Sequence, residues 1–280
     1  MLVDYHLHTV FSGHAVGTID DYLAKVEELG IEEVCFTEHT SRQYLPDEFR
    51  RQIPDSWMQD EELAVYLKLV AAAATRTSVR VKLGLETDYF AGHEEALARF
   101  LDSLPLDFVL GTVHFLPMYE MRYISLVDEE PAAFLVAYFD YIKRAIESGL
   151  FDSIAHIHLG WQIVPWPSGR AGKTVEKGLA QVVAAAATHD VCLEINTRAF
   201  NFEGHGTLDI YRRFMAMIAD YGVPITLGSD AHDPKDVGRN YPQVLRTLRH
   251  YGIDEVATFE KRQRLMVPVG DQLLSTAQGK

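Results

Sequence analysis

The chain has 280 residues, 48% of them hydrophobic and 24% charged, a balance typical of a globular protein with an ample core. Its formal net charge of −14 disfavours the broad basic face that duplex DNA or an anionic membrane surface would require. No run of about 18 uncharged apolar residues is present to span a bilayer.

Strand-like and helix-like segments alternate from the start. The run Leu2–His6 predicts a first strand, and Thr18 or Asp20 caps a helix that ends at Gly30. Glu33–Thr37 predicts a second strand, residues 60–78 a helix and Val81–Leu85 a third strand. Glu94–Leu104 follows as a helix, Phe108–Thr112 as a strand, and Pro131 opens a helix to about Ser148. Ser153–Ile157, Val191–Ile195 and Pro224–Leu227 are the next strands. Thr174–His189, Leu208–Tyr221 and Tyr241–Tyr251 are the remaining helices, and Val256–Phe259 is a possible final strand. Seven or eight βα repeats without a low-complexity linker imply a parallel sheet with helices outside. One domain over 1–280 is expected, a (β/α) barrel or a near relative, with long rim loops at 40–58 and 160–173. Cys35 and Cys192 sit inside apolar runs and read as buried free thiols, in keeping with a cytosolic enzyme.

The strand ends carry the chemistry. His6 and His8 close the first strand, and His14 lies in the loop behind it. Glu38 and His39 follow the second strand, Glu86 ends the third and His114 follows the fourth. His156 and His158 end the fifth, Glu194 and Asn196 the sixth, and Asp230 and His232 the seventh. In a strand, residues i and i+2 share a face, so each such pair can aim two ligands at one point. In parallel barrels this C-terminal rim holds the active site. Imidazole and carboxylate without cysteine suit divalent zinc, iron or manganese, and the number of imidazoles exceeds what one ion needs. Glu86 is the central candidate for a carboxylate shared between ions.

At these residues the chain resembles the PHP (polymerase and histidinol phosphatase) family, and within it the histidinol-phosphate phosphatases. The resemblance rests on Asp4-Tyr-His6-Leu-His8-Thr9, Ser12-Gly-His14, Phe36-Thr-Glu38-His39 and Gly84-Leu-Glu86. It continues through Gly111-Thr-Val-His114, Ala155-His156, Glu194-Ile-Asn196-Thr197 and Gly228-Ser-Asp230-Ala-His232. It implies an α/β fold, a distorted (β/α)7 barrel with three divalent metal ions at the C-terminal rim of the strands. One ion would be held by His6, His8, Glu86 and Asp230, a second by Glu86, His114 and His156, and a third by His14, His39 and His232. The implied activity is hydrolysis of a small phosphomonoester, histidinol phosphate first, by metal-activated water, with Glu86 and Asp230 at the reacting centre.

Around that centre, His158 is a candidate general acid. Arg198, Asn196, Arg42 and His205 are candidate substrate contacts, and Arg239 is a further rim cation. Histidinol phosphatases of this group usually read His-x-Asp-Leu at strand 5, followed by basic residues. Here the stretch is His156-Ile-His158-Leu159, with no basic residue before Arg170. Asn201 stands where relatives place Arg or Lys after strand 6, leaving Arg198 as the substitute phosphate clamp. The competing activities are a phosphodiesterase or exonuclease, which the acidic balance disfavours, and a non-enzymatic barrel, which the complete ligand set disfavours.

Overall fold

Seven parallel strands follow one another around a single sheet in the computed structural model, which describes residues 1–52, 57–119, 121–201, 207–270 and 273. They are β1 (Val3–Leu7), β2 (Glu33–His39), β3 (Arg80–Asp88), β4 (Phe108–Thr112), β5 (Ser153–Ile154), β6 (Cys192–Asn196) and β7 (Ile225–Gly228). Their neighbours in space are their neighbours in sequence, in the order β1 to β7. Closure is nearly complete: the isolated bridge Leu7–Ala231 joins the two edges, with His8 N donating to Ala231 O at 3.0 Å. Such strands are covered on both faces, which is why they read as runs of Val, Leu, Ile, Cys and Phe rather than as alternations.

The connecting helices are α1 (Ile19–Leu29), α2 (Asp60–Ala74), α3 (Glu94–Asp102), α4 (Pro131–Glu147), α5 (Gly169–His189), α6 (Thr207–Tyr221) and α7 (Tyr241–His250). Local chemistry sets their ends. Thr18 and Asp21 form a reciprocal capping box at the start of α1, and Gly30, at φ 66°, closes it in the left-handed region. Pro131 occupies the first turn of α4, where Glu130 accepts from the free N–H groups of Ala132 and Ala133. No helix among the described residues is long and apolar enough to cross a membrane. Cys35 and Cys192 are buried free thiols.

Three expectations are corrected. The predicted strand Ser153–Ile157 is only Ser153–Ile154 long, because the chain turns at His156 (φ 24°) into a short helix, Leu159–Ile163. That helix and the early start of α5, at Gly169 rather than Thr174, leave little of 160–173 as loop. The last strand, β8 (Glu255–Glu260), is not an eighth βα repeat. It pairs antiparallel with β9 (Gln263–Pro268), and this hairpin packs across the N-terminal side of the barrel. Phe259 N donates to Tyr5 Oη at 2.7 Å and the Phe259 ring lies 4.9 Å from that of Phe108. Arg262 is paired with Asp152 at 3.1 Å. With that end plugged, the open end is the rim where the strands' C-terminal residues gather.

Candidate metal centre

The rim encloses a cavity of about 650 Å³, and His14, His39, Glu86, His114, His156, Asp230 and His232 line it. His6 and His8 form its floor, both fully buried. All nine expected ligands therefore come from six of the seven strand ends to one place.

Two of them reach it through strained backbone. Asp230 (φ 52°) and His156 (φ 24°) sit at positive φ, which costs a non-glycine residue of order 1–3 kcal/mol and persists only when neighbours enforce it. The enforcing contacts are Ser229 N to Asp4 Oδ1 at 2.8 Å and His156 N to Glu194 Oε2 at 2.7 Å. The i, i+2 logic thus holds for His6 and His8 at the end of β1 but not for Asp230 and His232. There β7 stops at Gly228, and a left-handed kink turns Asp230 inward instead. Gly228 itself is required by close packing: a Cβ there would lie 2.4 Å from Glu194 Oε1 and 2.5 Å from His6 Cβ.

The floor shows what the site is built to hold. His6 Nδ1 lies 2.6 Å from Glu194 Oε1, and His8 Nδ1 lies 3.2 Å from Glu38 Oε1. Glu38 is itself anchored by Thr9 N at 2.7 Å. A neutral imidazole that donates from Nδ1 presents a lone pair at Nε2. The two Nε2 atoms are 3.1 Å apart. Glu86 Oε2 stands 3.5 Å from the Nε2 of His6 and 3.4 Å from that of His8. Asp230 Oδ1 stands 3.7 and 3.5 Å from the same two atoms. Four acceptors converge on a buried point, an arrangement stable only around positive charge. In the bare protein that charge is a proton. Burial opposes it on His6, yet Glu194, Asp230 and Glu86 hold the His6 pKa well above the ordinary imidazole value. Burial likewise opposes it on His8, where bonds to Asp230 and Glu38 win and push the pKa to about 9. The ring-to-carboxylate bonds at Nδ1 are the usual support of histidines that ligate metal. The donor set fits divalent cations.

Glu86 is the hub. Its Oε1 lies 2.7 Å from His156 Nε2 and 3.7 Å from His114 Nε2, and its Oε2 lies 2.9 Å from His39 Nδ1. Burial alone would raise its pKa, but His39, His6 and His114 hold it well below the usual carboxylate value. Among the described residues, four groups have ligand atoms all within 4.8 Å of one another: His6-His8-Glu86, His6-His156-Asp230, His39-Glu86-His114 and His8-His39-His232. His14 belongs to none of these. Its ring lies 4.6 Å from that of His232, with Nδ1 toward Ser12 O at 2.8 Å, which leaves Nε2 facing the cavity mouth.

The substrate-side expectations divide. Arg198 lines the cavity, with Nη1 3.5 Å from Asp230 Oδ2. Arg239 lines it as well. Asn196 does not: it is fully buried, its amide donating to Glu194 Oε2 and its oxygen accepting from Arg198 N, so it supports both neighbours from beneath. Arg42 lies over the rings of Trp57 and Phe115, 5.3 Å from each centroid, and stays out of the cavity wall. His158 also stays out. The turn after His156 sends its ring against Tyr211 and Trp161, where it is 1% exposed and burial, with His156 beside it, lowers its pKa to about 3. It has no route to a leaving oxygen in the cavity, and the expected general-acid role is withdrawn. His205 lies outside the described residues. The part of Glu194 in holding His6, His156 and Asn196 together was not legible in sequence, although its place at a strand end marked it as a rim carboxylate.

The PHP domain model matches residues 4–198. A protein of Deinococcus radiodurans named "Probable histidinol-phosphatase" is 29% identical over 272 residues, covering 94% of this chain and 98% of the relative. The histidinol-phosphatase of Lactococcus lactis is 26% identical, covering 92% of this chain and 94% of that one. The crystal structure of histidinol phosphate phosphatase from Lactococcus lactis, complexed with zinc, L-histidinol and phosphate, superposes with a TM-score of 0.77 at 21% identity. That match covers 94% of this chain and 98% of the solved one, and shows a shared fold.

Proposed function

Because the chain belongs to the PHP domain family, we propose that it is a metal-dependent phosphoric monoester hydrolase, acting as one barrel domain over residues 1–280. Its reaction takes a small phosphomonoester and water to an alcohol and inorganic phosphate. Histidinol phosphate is the first candidate, since the relatives that align over almost the whole chain carry that activity in their names. The observation that carries the reading is the buried convergence of His6 Nε2, His8 Nε2, Glu86 and Asp230 on one point that only positive charge can stabilise.

Three divalent ions are the proposed complement. His6, His8, Glu86 and Asp230 would hold one, Glu86, His114 and His156 a second, and His14, His39 and His232 a third. Zinc, iron and manganese all suit these donors. Such ions supply positive charge to phosphate oxygens and acidify water. The chain does the rest. Glu194 and Glu38 fix the tautomers of His6 and His8, so that both rings present Nε2 to the cavity. Arg198 stands at the rim with a planar guanidinium that suits two phosphate oxygens at once. Trp57, buried against His39 with ring centroids 3.6 Å apart, keeps water from that flank.

The test is phosphate release by the purified chain, loaded in turn with manganese, zinc and iron, from a panel of phosphomonoesters that includes histidinol phosphate. Release that Glu86→Ala abolishes is the expected result. No release from any ester with any metal would overturn the reading.

A further inference from the structure

Two arginines among the described residues, Arg198 and Arg239, line the cavity. Arg198 follows β6 and Arg239 follows β7, so they rise from neighbouring strand ends. Asn240 ties the two loops together: its amide donates to Thr197 O at 2.9 Å and to Asn201 Oδ1 at 2.7 Å. The side chain of Arg239 is only 16% exposed, and Asp236 holds it through Nη2–Oδ2 at 2.9 Å and Nε–O at 3.3 Å. Those bonds use two of its five N–H donors and leave its planar head aimed by a fixed partner. They also engage the Asp236 carboxylate, which lines the cavity beside it. The adjoining wall, from the loops after β4 and β5, is of another character. Tyr123, Ile124, Leu159 and Ile163 line it.

On the phosphatase reading, one phosphate is served by the bound metal ions and Arg198. A second, pre-aimed guanidinium in a protein of net charge −14 calls for a second anion. We propose that Arg239 is a specificity-determining residue that binds an anionic group on the leaving alcohol, while the apolar wall takes its carbon skeleton. The substrate class is then a phosphomonoester whose leaving group carries a carboxylate or a second phosphate, and histidinol phosphate, the first candidate by relatedness but with an amine on its leaving alcohol, ranks behind such esters. This rests on the phosphatase reading for its chemistry, but its binding prediction stands apart from turnover.

The experiment therefore uses non-hydrolysable probes. Calorimetric titration of the manganese-loaded chain compares 3-phosphonopropionate, propylphosphonate and 3-aminopropylphosphonate, which differ only in the terminal group. The carboxylate is expected to bind about tenfold tighter than the neutral probe, the worth of one charge-assisted pair, and the amine more weakly than either. In Arg239→Met that carboxylate advantage should shrink to within about twofold, and Arg239→Lys should keep part of it. A loss specific to one probe separates recognition from a folding defect, which would weaken all three together. The proposal is overturned if the amine binds tightest, if the carboxylate advantage survives Arg239→Met (the carboxylate then sits on metal or elsewhere), or if no probe binds. The matched phosphate esters judge the chemistry separately: the expected binding order without phosphate release would uphold the anion site and remove the phosphatase reading.

Discussion

His6 and His8 hold their Nε2 atoms 3.1 Å apart at the floor of the barrel, while the other nitrogen of each ring faces a carboxylate. Neutral rings in those tautomers repel at that distance. The pair is at rest only with protons or a metal cation between the rings and the oxygens of Glu86 and Asp230. Stability, metal affinity and pH are therefore coupled at this point.

The first consequence concerns the metal-free chain. The His8 pKa is raised to about 9, so its contribution to stability is fully present below the ordinary value of 6.5 and is lost as pH rises through about 9. A divalent cation replaces those protons and binds better as they leave. The difference in Tm between manganese-loaded and chelator-treated protein should widen by several degrees from pH 6.5 to pH 9, followed by thermal unfolding. A gap that does not change with pH would contradict the coupling.

Glu194→Gln removes the charge that sets His6 while keeping the shape. Glu194 accepts from His156 N and Asn196 through Oε2 and touches His6 Nδ1 at 2.6 Å. Loss of such a supporting carboxylate costs about 10–100-fold in metal affinity. Competition against a chromogenic chelator measures it, and unchanged affinity would show that Glu194 serves only packing.

Arg198→Met tests the phosphate clamp. The side chain is 44% exposed at the cavity mouth, and its removal should leave the metal content intact. Inhibition by inorganic phosphate should weaken about tenfold, and KM should rise. If phosphate inhibition is unaltered, the anion is held without this residue.

Asp4→Asn reports on burial rather than catalysis. Burial raises the Asp4 pKa to about 6, partly offset by its bonds to Ser229. Because the folded value lies above the unfolded 3.8, ionising Asp4 destabilises the fold as pH rises from about 4 to about 6. The shift corresponds to roughly 3 kcal/mol as an upper figure. The stability of the Asn variant relative to the natural chain should therefore improve between pH 4 and pH 7 in urea unfolding, and a constant difference would remove the claim.

Much of this was legible in the chain itself. Parallel strands buried on both faces leave unbroken apolar runs, and helices leave a 3.6-residue rhythm between caps such as Thr18 and Gly30, so the order of elements could be read directly. Ligand residues at seven successive strand ends pointed to one rim. What failed was local geometry decided from afar. Nothing in Ser153–Ile157 announces that His156 takes a positive φ, because the force that holds it there is a bond from Glu194, 38 residues on. The same turn removed His158 from the cavity. Arg42 was placed by the rings of Trp57 and Phe115, and the hairpin of β8 and β9 by Tyr5 and Phe108, partners far along the chain, whereas Asn196 is held by its neighbours Glu194 and Arg198.

The sequence by itself determined the alternation of strands and helices, the set of metal-type ligands and the end of the barrel that carries them, since these follow from residue type and short-range period. Only the tertiary structure decided which rings converge with Glu86 and Asp230, which arginines line the cavity and which histidine is shut away. Those depend on contacts between residues tens to hundreds of positions apart, and on left-handed turns at His156 and Asp230 that the residues' own preferences oppose.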